Sequence, residues 1–369
     1  MTREQQIAHQ RLSEFRRRFS RELAGLFVQT VQLGREMGLM DLGLVAVDGS
    51  KIAAHAGRRT LDEKALRKQI DELLAEVEQL DAAEDAEFGN ARGDEIPADL
   101  RDPKKRLEKL ERALEVMKTS GHKGVSVNDP EAPLQRGTDG VRPGYNAQIA
   151  VDGSSGMIVA QDVTQAQNDT GQLGPMLEQM IENTGEKPTL TVTDAGYQGE
   201  ENLRAVEELG VEACIAQQVQ SSDPDEHFAQ DDFTYVKEHD EFICPWGKLL
   251  TYRRDNQRRG QIQRLYATAQ SDCRDCPYRD RCLSPKGKRR ELYISPHLRL
   301  LRRMRERMDS DEGKRAMRLR SQVVEPVFGV IKAVLNLRQF LLRGLDGARA
   351  EMALAAGGFN LRKLAAVYC

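Results

Sequence analysis

Five short apolar runs constrain the fold of this chain more than any other feature, because each has the length of a strand and is bounded by turn-forming or polar residues. They span residues 42–48, 145–151, 157–163, 189–194 and 211–216. The second and third runs flank Asp152-Gly-Ser-Ser-Gly156, a spacing that predicts a β-hairpin. Helical periodicity predicts helices at 11–40, near 170–184, near 199–209 and from about 297 onward. Strands and helices in this order predict an α/β fold.

Two longer segments interrupt this order. In 61–119, apolar residues recur at three- and four-residue steps on both sides of the breaker-rich stretch 88–97. This heptad spacing predicts an antiparallel, coiled-coil-like helical hairpin. The residues that carry the heptad spacing are Leu66, Ile70, Leu73, Val77, Leu80, Leu107, Leu110, Leu114 and Met117. The other segment, 217–310, is polar and holds most of the cysteines.

With both segments set aside, the remaining order is strand, strand, strand, helix, strand, helix, strand, helix. That order is typical of a ribonuclease H-like core, a mixed sheet with helices on both faces. We therefore predict an N-terminal helical segment at 1–43 and a ribonuclease H-like core at 44–369. The helical hairpin at 61–119 and the basic, Cys-bearing segment at 217–310 are interpreted as insertions into that core.

Charge is segregated along the chain, which the formal net charge of −3 conceals. Residues 251–307 hold 17 basic and 6 acidic side chains, and residues 314–369 hold 10 and 3. By contrast, residues 200–243 hold 13 acidic and 2 basic side chains. Two basic segments can face a polyanion while acidic segments lie elsewhere, although solvated helix faces would give the same counts.

Three carboxylates stand at the places where a ribonuclease H-like core would carry metal ligands. Asp48 and Asp194 each end an apolar run and are followed by small residues, and Glu325 lies in a late helical segment. Enzymes that cut and join phosphodiesters commonly hold two divalent metals ~3.5–4 Å apart, and magnesium prefers carboxylate oxygens. Because Pro326 disfavours helical geometry in the residue before it, Glu325 is predicted at a helix start or kink. Lys332 follows two turns later on the same helix face.

Other aspartates have plainer interpretations, since a lone Asp after a strand is more often a turn former or a helix cap. Asp152 repeats the Val-Asp-Gly-Ser string of Asp48, but it opens the turn of the predicted hairpin. Asp162 is interpreted as a surface residue of a strand and Asp169 as a helix cap.

Four cysteines in the basic segment suggest a structural metal site. Cys244, Cys273, Cys276 and Cys282 supply four thiols, and Cys273 and Cys276 have the spacing of a zinc knuckle. The other half of the pattern has a single Cys, so a set of unligated thiols stays open beside the zinc interpretation, which we favour. The arginines and lysines around this cluster suit contacts with phosphates.

The motifs together resemble those of DDE transposases of bacterial insertion sequences, most closely the insertion-sequence 1182 group. The resemblance extends from about residue 10 to 366 and is carried by five strings in order, VAVDGSKIAAHAG, GYNAQIAVDG, TVTDAGYQGEENL, VVEPVFGVIK and RQFLLRGLDGARAEMALAAGGFNLRKL.

The resemblance implies a function and a set of site residues. Asp48, Asp194 and Glu325 would be the catalytic triad that binds two Mg²⁺ or Mn²⁺ ions, with Tyr197 and Lys332 contacting the DNA ends. The implied reaction is DNA strand cleavage and strand transfer. The implied partners are the double-stranded DNA of the element's ends and of the target, and a homodimer or higher oligomer on DNA is expected.

The chain departs from this family's pattern at two places. Relatives often carry an Arg four residues before the Glu, where this chain has Ser321, so Arg318 or Arg320 would replace that DNA contact. Relatives usually begin with a further helical segment that binds the element's ends. We therefore expect the chain to be short at its N-terminus.

Several classes of function are disfavoured. Residues 1–19 lack the apolar stretch of a secretory signal, and no run approaches a membrane span. We expect a cytoplasmic, nucleoid-associated bacterial protein without a membrane partner. No G-x-x-x-x-G-K-[ST] or G-x-G-x-x-G motif is present. Two alternatives to a transposase stay open: an inactive or truncated DNA-binding remnant, and a ribonuclease H-like nuclease.

Overall fold

The chain forms two compact units in a computed structural model. The model describes residues 9–58, 60–88, 98–137, 140–216, 228–258, 261–295 and 298–368. The larger unit comprises residues 1–216 and 311–369, and the smaller unit comprises residues 217–310. Within the described residues the chain has eleven α-helices and two sheets. None of these helices combines the length and the apolar character that a membrane span requires.

Six strands form the sheet of the larger unit. They are β1 (Leu44–Ala53), β2 (Leu134–Gly137), β3 (Gly140–Asp152), β4 (Ile158–Thr164), β5 (Leu190–Thr193) and β6 (Ala213–Ile215). The strand order is β2-β3-β1-β5-β6, and β4 pairs with β3. β1 is antiparallel to β3 and parallel to β5, so the sheet is mixed.

Five short strands form the sheet of the smaller unit. They are β7 (Thr234–Val236), β8 (Glu241–Ile243), β9 (Leu249–Arg258), β10 (Gln261–Ala267) and β11 (Glu291–Ile294). Each pairs antiparallel with the next, and the core contains Phe233, Phe242, Leu250, Tyr266 and Leu292. Sequence analysis predicted only a polar segment here. β7 and β8 have only three residues each, and β9 carries consecutive exposed charged residues from Arg253 to Asp255, so these strands lack the apolar alternation that predicts a strand.

The helices complete both units. In chain order they are α1 (His9–Arg18), α2 (Ser20–Glu36), α3 (Glu63–Phe88), α4 (Ala98–Ser120), α5 (Leu173–Thr184), α6 (Glu200–Leu209), α7 (Gln270–Arg274), α8 (Arg279–Cys282), α9 (Leu298–Asp309), α10 (Asp311–Ala333) and α11 (Leu345–Tyr368). Helices α7 to α9 belong to the smaller unit. In the larger unit, α10 packs against β1, β3, β5 and β6.

Most of the predicted elements are present, with three differences in their bounds. The helix predicted at 11–40 is divided at Phe19, which leaves helical geometry. The first strand continues through Asp48 to Ala53 instead of ending at Asp48. Glu325 lies well inside α10, which continues through Pro326 with the loss of one backbone donor. Of the predicted helix start or kink, the start is therefore wrong and the kink stays a prediction.

Helices α3 and α4 pack together through the apolar residues of the predicted heptads. Leu66, Leu73, Leu110 and Met117 are buried in one cluster, against which Ile70, Leu107 and Leu114 pack. The breaker-rich connection at 89–97 and the side chains of Val77 and Leu80 lie outside the described residues. The coiled-coil character of the pair therefore stays a prediction.

β1 pairs over nearly its full length with β3 on one side but only over its first residues with β5 on the other side. The second edge of β1 is therefore unpaired by β5 beyond Ala46, in the middle of the sheet. β1 pairs with β3 from Val45 to Ala53, but it pairs with β5 only from Leu44 to Ala46. β5 ends at Thr193, after which the chain turns away. Asp48 therefore lies on a continuous strand, beside the place where its parallel neighbour has ended.

Candidate active site

Asp194 is fixed at the end of β5 by its own turn. It precedes a short 3₁₀ turn at Ala195–Tyr197, and its Oδ1 accepts a hydrogen bond from the backbone N of Gly196 at 2.8 Å. A carboxylate that caps a turn in this way is held in one orientation. The predicted position of Asp194, directly after a buried strand, is confirmed.

Asp48 lies close enough to other carboxylates for their charges to interact. Burial raises the pKa of Asp48 from 3.8 to about 6, the guanidinium of Arg320 opposes this shift, and the charges of Asp194 and Asp169 add to it. Near neutral pH, a proton or a cation at Asp48 therefore relieves repulsion among the three aspartates.

Arg320 connects the first and third predicted carboxylates. Its Nη1 lies 3.4 Å from Oδ2 of Asp48, and its Nη2 lies 4.0 Å from Oε1 of Glu325. The side chains of Asp48 and Arg320 are each 17% exposed, whereas that of Glu325 is 63% exposed. Of the two arginines that sequence analysis weighed, Arg320 therefore reaches the carboxylates, while Arg318 is exposed on the same helix.

The two predicted DNA contacts lie in different environments. Lys332 is partly buried, and its Nζ donates a hydrogen bond to Oγ of Ser50 at 2.5 Å. Tyr197 is fully buried, and its hydroxyl donates to Oε1 of Gln148. Burial, together with the nearby Asp169, raises the pKa of Tyr197 above its ordinary range. Tyr197 thus holds the side chain of Gln148 in place. Because its side chain is fully buried, the predicted contact of Tyr197 with DNA is disfavoured.

Asp169 is a fourth carboxylate at this site, and sequence analysis missed it. It was interpreted as a helix cap, but its side chain points to the sheet. Its Oδ1 accepts hydrogen bonds from Nδ2 of Asn146 and Nε2 of Gln148, both at 2.7 Å, and both amide side chains are fully buried. The signal that could have revealed it is the pair of polar residues, Asn146 and Gln148, that alternate with Tyr145, Ala147 and Ile149 in a fully buried part of β3.

Two glycines allow Asp169 to approach the other aspartates. A Cβ at Gly49, next to Asp48, would lie 2.5 Å from Oδ1 of Asp169. A Cβ at Gly196 would lie 3.0 Å from Oδ1 of Asp194 and 3.1 Å from Oδ2 of Asp169. The small residues that follow Asp48 and Asp194 in the sequence thus make room for a third aspartate.

Lys51 brings a second cation to the carboxylates. Its Nζ lies 3.8 Å from Oδ1 of Asp169 and is buried without a hydrogen bond of its own. Burial lowers the pKa of Lys51, while Asp169 and Asp194 oppose that shift. Lys51 and Arg320 together offset part of the negative charge of the four carboxylates.

Asp152 and Asp162 lie elsewhere, as sequence analysis predicted. Asp152 is buried in the hairpin turn, where its carboxylate accepts hydrogen bonds from Leu42, Ser154 and Ser155. Asp162 lies on β4 and pairs with Arg349.

In the smaller unit, the four predicted cysteines line one small cavity of about 20 Å³. The backbone N of Lys248 donates to Sγ of Cys244 at 3.3 Å, and Oγ1 of Thr268 lies 3.1 Å from Sγ of Cys273. Burial raises the pKa of Cys282 to about 11, Arg290 opposes the shift, and the other three cysteines add to it. The four sulfur atoms are therefore near neighbours.

Neither cluster is a ready-made metal site. Nowhere in the described part of the chain do three or more His, Cys, Asp or Glu side chains form a group that could hold a metal ion as placed. At the carboxylates, Arg320 pairs with Asp48 and Glu325. The guanidinium of Arg320 therefore lies beside two of the three predicted metal ligands.

A comparison with protein families adds an independent finding. Residues 243–365 match the family model described as "Transposase DDE domain". The matched part contains Glu325, Lys332 and the four cysteines, whereas Asp48 and Asp194 precede it. The match supports a DDE transposase family, whose members generally bind DNA and use divalent metal ions. A search of curated proteins found no match to the chain.

The raised pKa of Asp48 predicts how stability depends on pH in the absence of metal. The folded state keeps a proton on Asp48 that the unfolded chain releases above about pH 4, so raising the pH from about 4 to about 6 favours unfolding. Relative to Asp48→Asn, which has no such proton, wild-type protein should lose about 3 kcal/mol over that window and little more above it.

Chemical denaturation of both proteins with a chelator, at several pH values, measures this difference. If the free energy of unfolding depended on pH in the same way for both proteins, the raised pKa of Asp48 would be contradicted.

Proposed function

We propose that this chain is a DDE transposase of the insertion-sequence 1182 group, which cleaves DNA at the ends of its element and joins those ends to a target. The observation that carries the proposal is the meeting of Asp48 and Asp194 where β5 ends, with Arg320 pairing with both Asp48 and Glu325. The family match over residues 243–365 supports the same class of enzyme.

The strand order supports a ribonuclease H-like core for this enzyme. β1, β3 and β4 are antiparallel neighbours, and β5 and β6 continue the sheet in parallel on the other side of β1. Helix α5 lies between β4 and β5 in the chain, and α6 lies between β5 and β6. In such a sheet the first and fourth core strands, here β1 and β5, are neighbours. This adjacency places Asp48 beside Asp194.

Asp48, Asp194 and Glu325 are the residues that would hold two Mg²⁺ or Mn²⁺ ions. Their carboxylate oxygens are the ligands these ions prefer. Burial is the main cause of the raised pKa of Asp48, and the repulsion from Asp194 and Asp169 that adds to it is the kind that a divalent cation relieves. When bound, such ions would supply Lewis-acid activation of a water or a DNA 3′-hydroxyl and charge stabilisation of the leaving oxygen.

The chain's own residues prepare that chemistry. Asp48 loses its proton when a cation binds, so metal affinity should rise as the pH increases through about 6. Without metal, the positive charge of Arg320 offsets the negative charges of Asp48 and Glu325. If divalent cations offset these charges instead, the guanidinium would be available to a DNA phosphate. Lys332, held by Ser50, lies on the same helix as Glu325 and would contact the DNA backbone.

The partners follow from the class. Double-stranded DNA at the element's ends and at the target would bind in the bacterial nucleoid, with a homodimer or higher oligomer assembled on it. We also propose that the four cysteines of the smaller unit bind a structural zinc ion, because four thiols line one cavity and a backbone N–H already faces the sulfur of Cys244.

The first test of the triad is Asp194→Ala. A ligand that positions a metal supplies several kcal/mol of transition-state stabilisation, so Mg²⁺-dependent cleavage should fall by more than about a hundredfold while DNA binding persists. The assay uses a plasmid that carries the gene with its flanking DNA.

Asp162→Ala is the matched control for Asp194→Ala, because Asp162 lies on a strand of the same sheet and pairs with Arg349. Substantial cleavage by Asp194→Ala would remove this residue from the triad. Wild-type protein that binds DNA without cutting it would favour the inactive remnant, and hydrolysis without joining would favour the nuclease.

Asp169→Asn tests the carboxylate that sequence analysis missed. An asparagine can still accept from Asn146 and Gln148, but it removes a negative charge beside Asp194. The Mg²⁺ concentration for half-maximal cleavage should therefore rise by about tenfold or more, with the rate at saturating Mg²⁺ much less affected. Asp162→Asn is the control, and an unchanged Mg²⁺ requirement in Asp169→Asn would show that Asp169 has no part in metal binding.

Metal analysis tests the cysteine cluster. Purified protein should contain about one zinc per chain, and Cys273→Ser/Cys276→Ser should contain far less. Cys214→Ser is the control, because Cys214 is buried in β6 of the larger unit. Wild-type protein without zinc, prepared in zinc-supplemented medium, would establish that the thiols are unligated.

A further inference from the structure

A groove rich in cationic residues lies beside the carboxylates of the larger unit. It has a volume of about 600 Å³ and is lined by residues of β1, of the β2–β3 hairpin, of the end of α10 and of the segment after α10. The cationic residues that line it are Lys51, Arg136, Arg142, Lys332 and Arg338. None of the described residues that line this groove is an Asp or a Glu.

The groove begins at the candidate active site. Gly49, which directly follows Asp48, forms part of its wall, as does Ser50, which holds Lys332. Lys51 lies in the same wall and approaches Asp169. At the other extreme, Arg136 and Arg338 are exposed and lie on separate elements. The cationic lining thus continues from the carboxylates to the surface.

The charge of the groove indicates its ligand. Asp169 offsets part of the charge of Lys51, but four further cationic side chains line the same space, and a ligand that carries several negative charges is attracted to them. Three regions far apart in the sequence contribute these residues, namely β1, the β2–β3 hairpin, and the end of α10 with the segment that follows it. A run of basic residues on one solvated helix would not produce this arrangement.

We infer that this groove binds the phosphodiester backbone of the DNA strand that enters the carboxylate site. The inference rests on the proposed function and deepens it, since it names Lys51, Arg136, Arg142 and Arg338 as phosphate-binding residues in addition to Lys332. These contacts position the strand and do not read its sequence. The strand would therefore be held on one side of Asp48 regardless of its bases.

The salt dependence of DNA binding tests this inference. Each phosphate contact contributes about 0.9 to the slope of log K against log salt concentration. Arg136→Gln/Arg338→Gln, in the full chain, should therefore lower the slope by about 2 and weaken binding similarly for duplexes of unrelated sequence. The probe is a short fluorescent duplex of mixed sequence, with a chelator present so that no cleavage occurs.

A charge-matched control separates the groove from a general loss of positive charge. Arg67→Gln/Arg204→Gln removes two arginines that pair with Glu63 and Glu208 on exposed helix faces, and it should change the slope by less than half as much. Thermal unfolding of both variants checks that the fold is retained. Equal slopes for the groove variant and this control would overturn the inference.

Failure of the groove inference can be distinguished from failure of the proposed transposase activity. If the groove variant lowers the slope but wild-type protein does not cleave DNA, the groove stands and the transposase activity fails. If wild-type protein cleaves DNA and the groove variant keeps the wild-type slope, the activity stands and the groove is excluded as a DNA-binding site.

Discussion

The unequal pairing of β1 on its two edges is the constraint on which the rest of the site depends. Backbone hydrogen bonds to β3 keep β1 extended as far as Ala53, while β5 stops beside Ala46. A strand that was free on both edges beyond Ala46 would leave its backbone donors and acceptors unpaired. Because β3 pairs them, the chain can carry Asp48, Ser50 and Lys51 along an edge that remains open to a substrate.

Charge balance at this edge sets the chemistry that the site can perform. Four carboxylates lie near Lys51 and Arg320, and burial, with a smaller contribution from the charges of Asp194 and Asp169, raises the pKa of Asp48 to about 6. The amides of Asn146 and Gln148 fix Asp169 in place without adding positive charge. The hydrogen bonds hold the site in place while its aspartates still repel one another, which suits the arrival of cations with a polyanionic substrate.

Much of the fold could be predicted because strand and helix signals in this sequence are local. The hairpin around Asp152 and the strand that precedes Asp194 follow from runs of a few residues, and the structure has both. The position of Asp48 was predicted only in part, since its place within a longer strand depends on pairing with β3, which no local pattern reveals. The triad as a functional unit stays a prediction.

Asp169, Lys51 and the strands of the smaller unit could not be predicted for a related reason. Asn-Asp-Thr-Gly, around Asp169, looks like an ordinary turn until the fold brings Asn146 and Gln148 to it from a distant strand. The five-stranded sheet in 217–310 has a core of a few aromatic and aliphatic side chains, spread thinly among charged residues. Both features depend on long-range contacts, and a single sequence does not display them.

The position of α11 has a consequence for how this protein is made. Asn360, fully buried on that helix, bonds both backbone groups of Ile158 in β4 and also Thr30 in α2, and Glu351 pairs with Arg16 of α1. Elements synthesised first are thus held together by a helix synthesised long after them. Helix α5 can pack against α2 and β4 during synthesis, but the packing of both elements is complete only after α11 has left the ribosome.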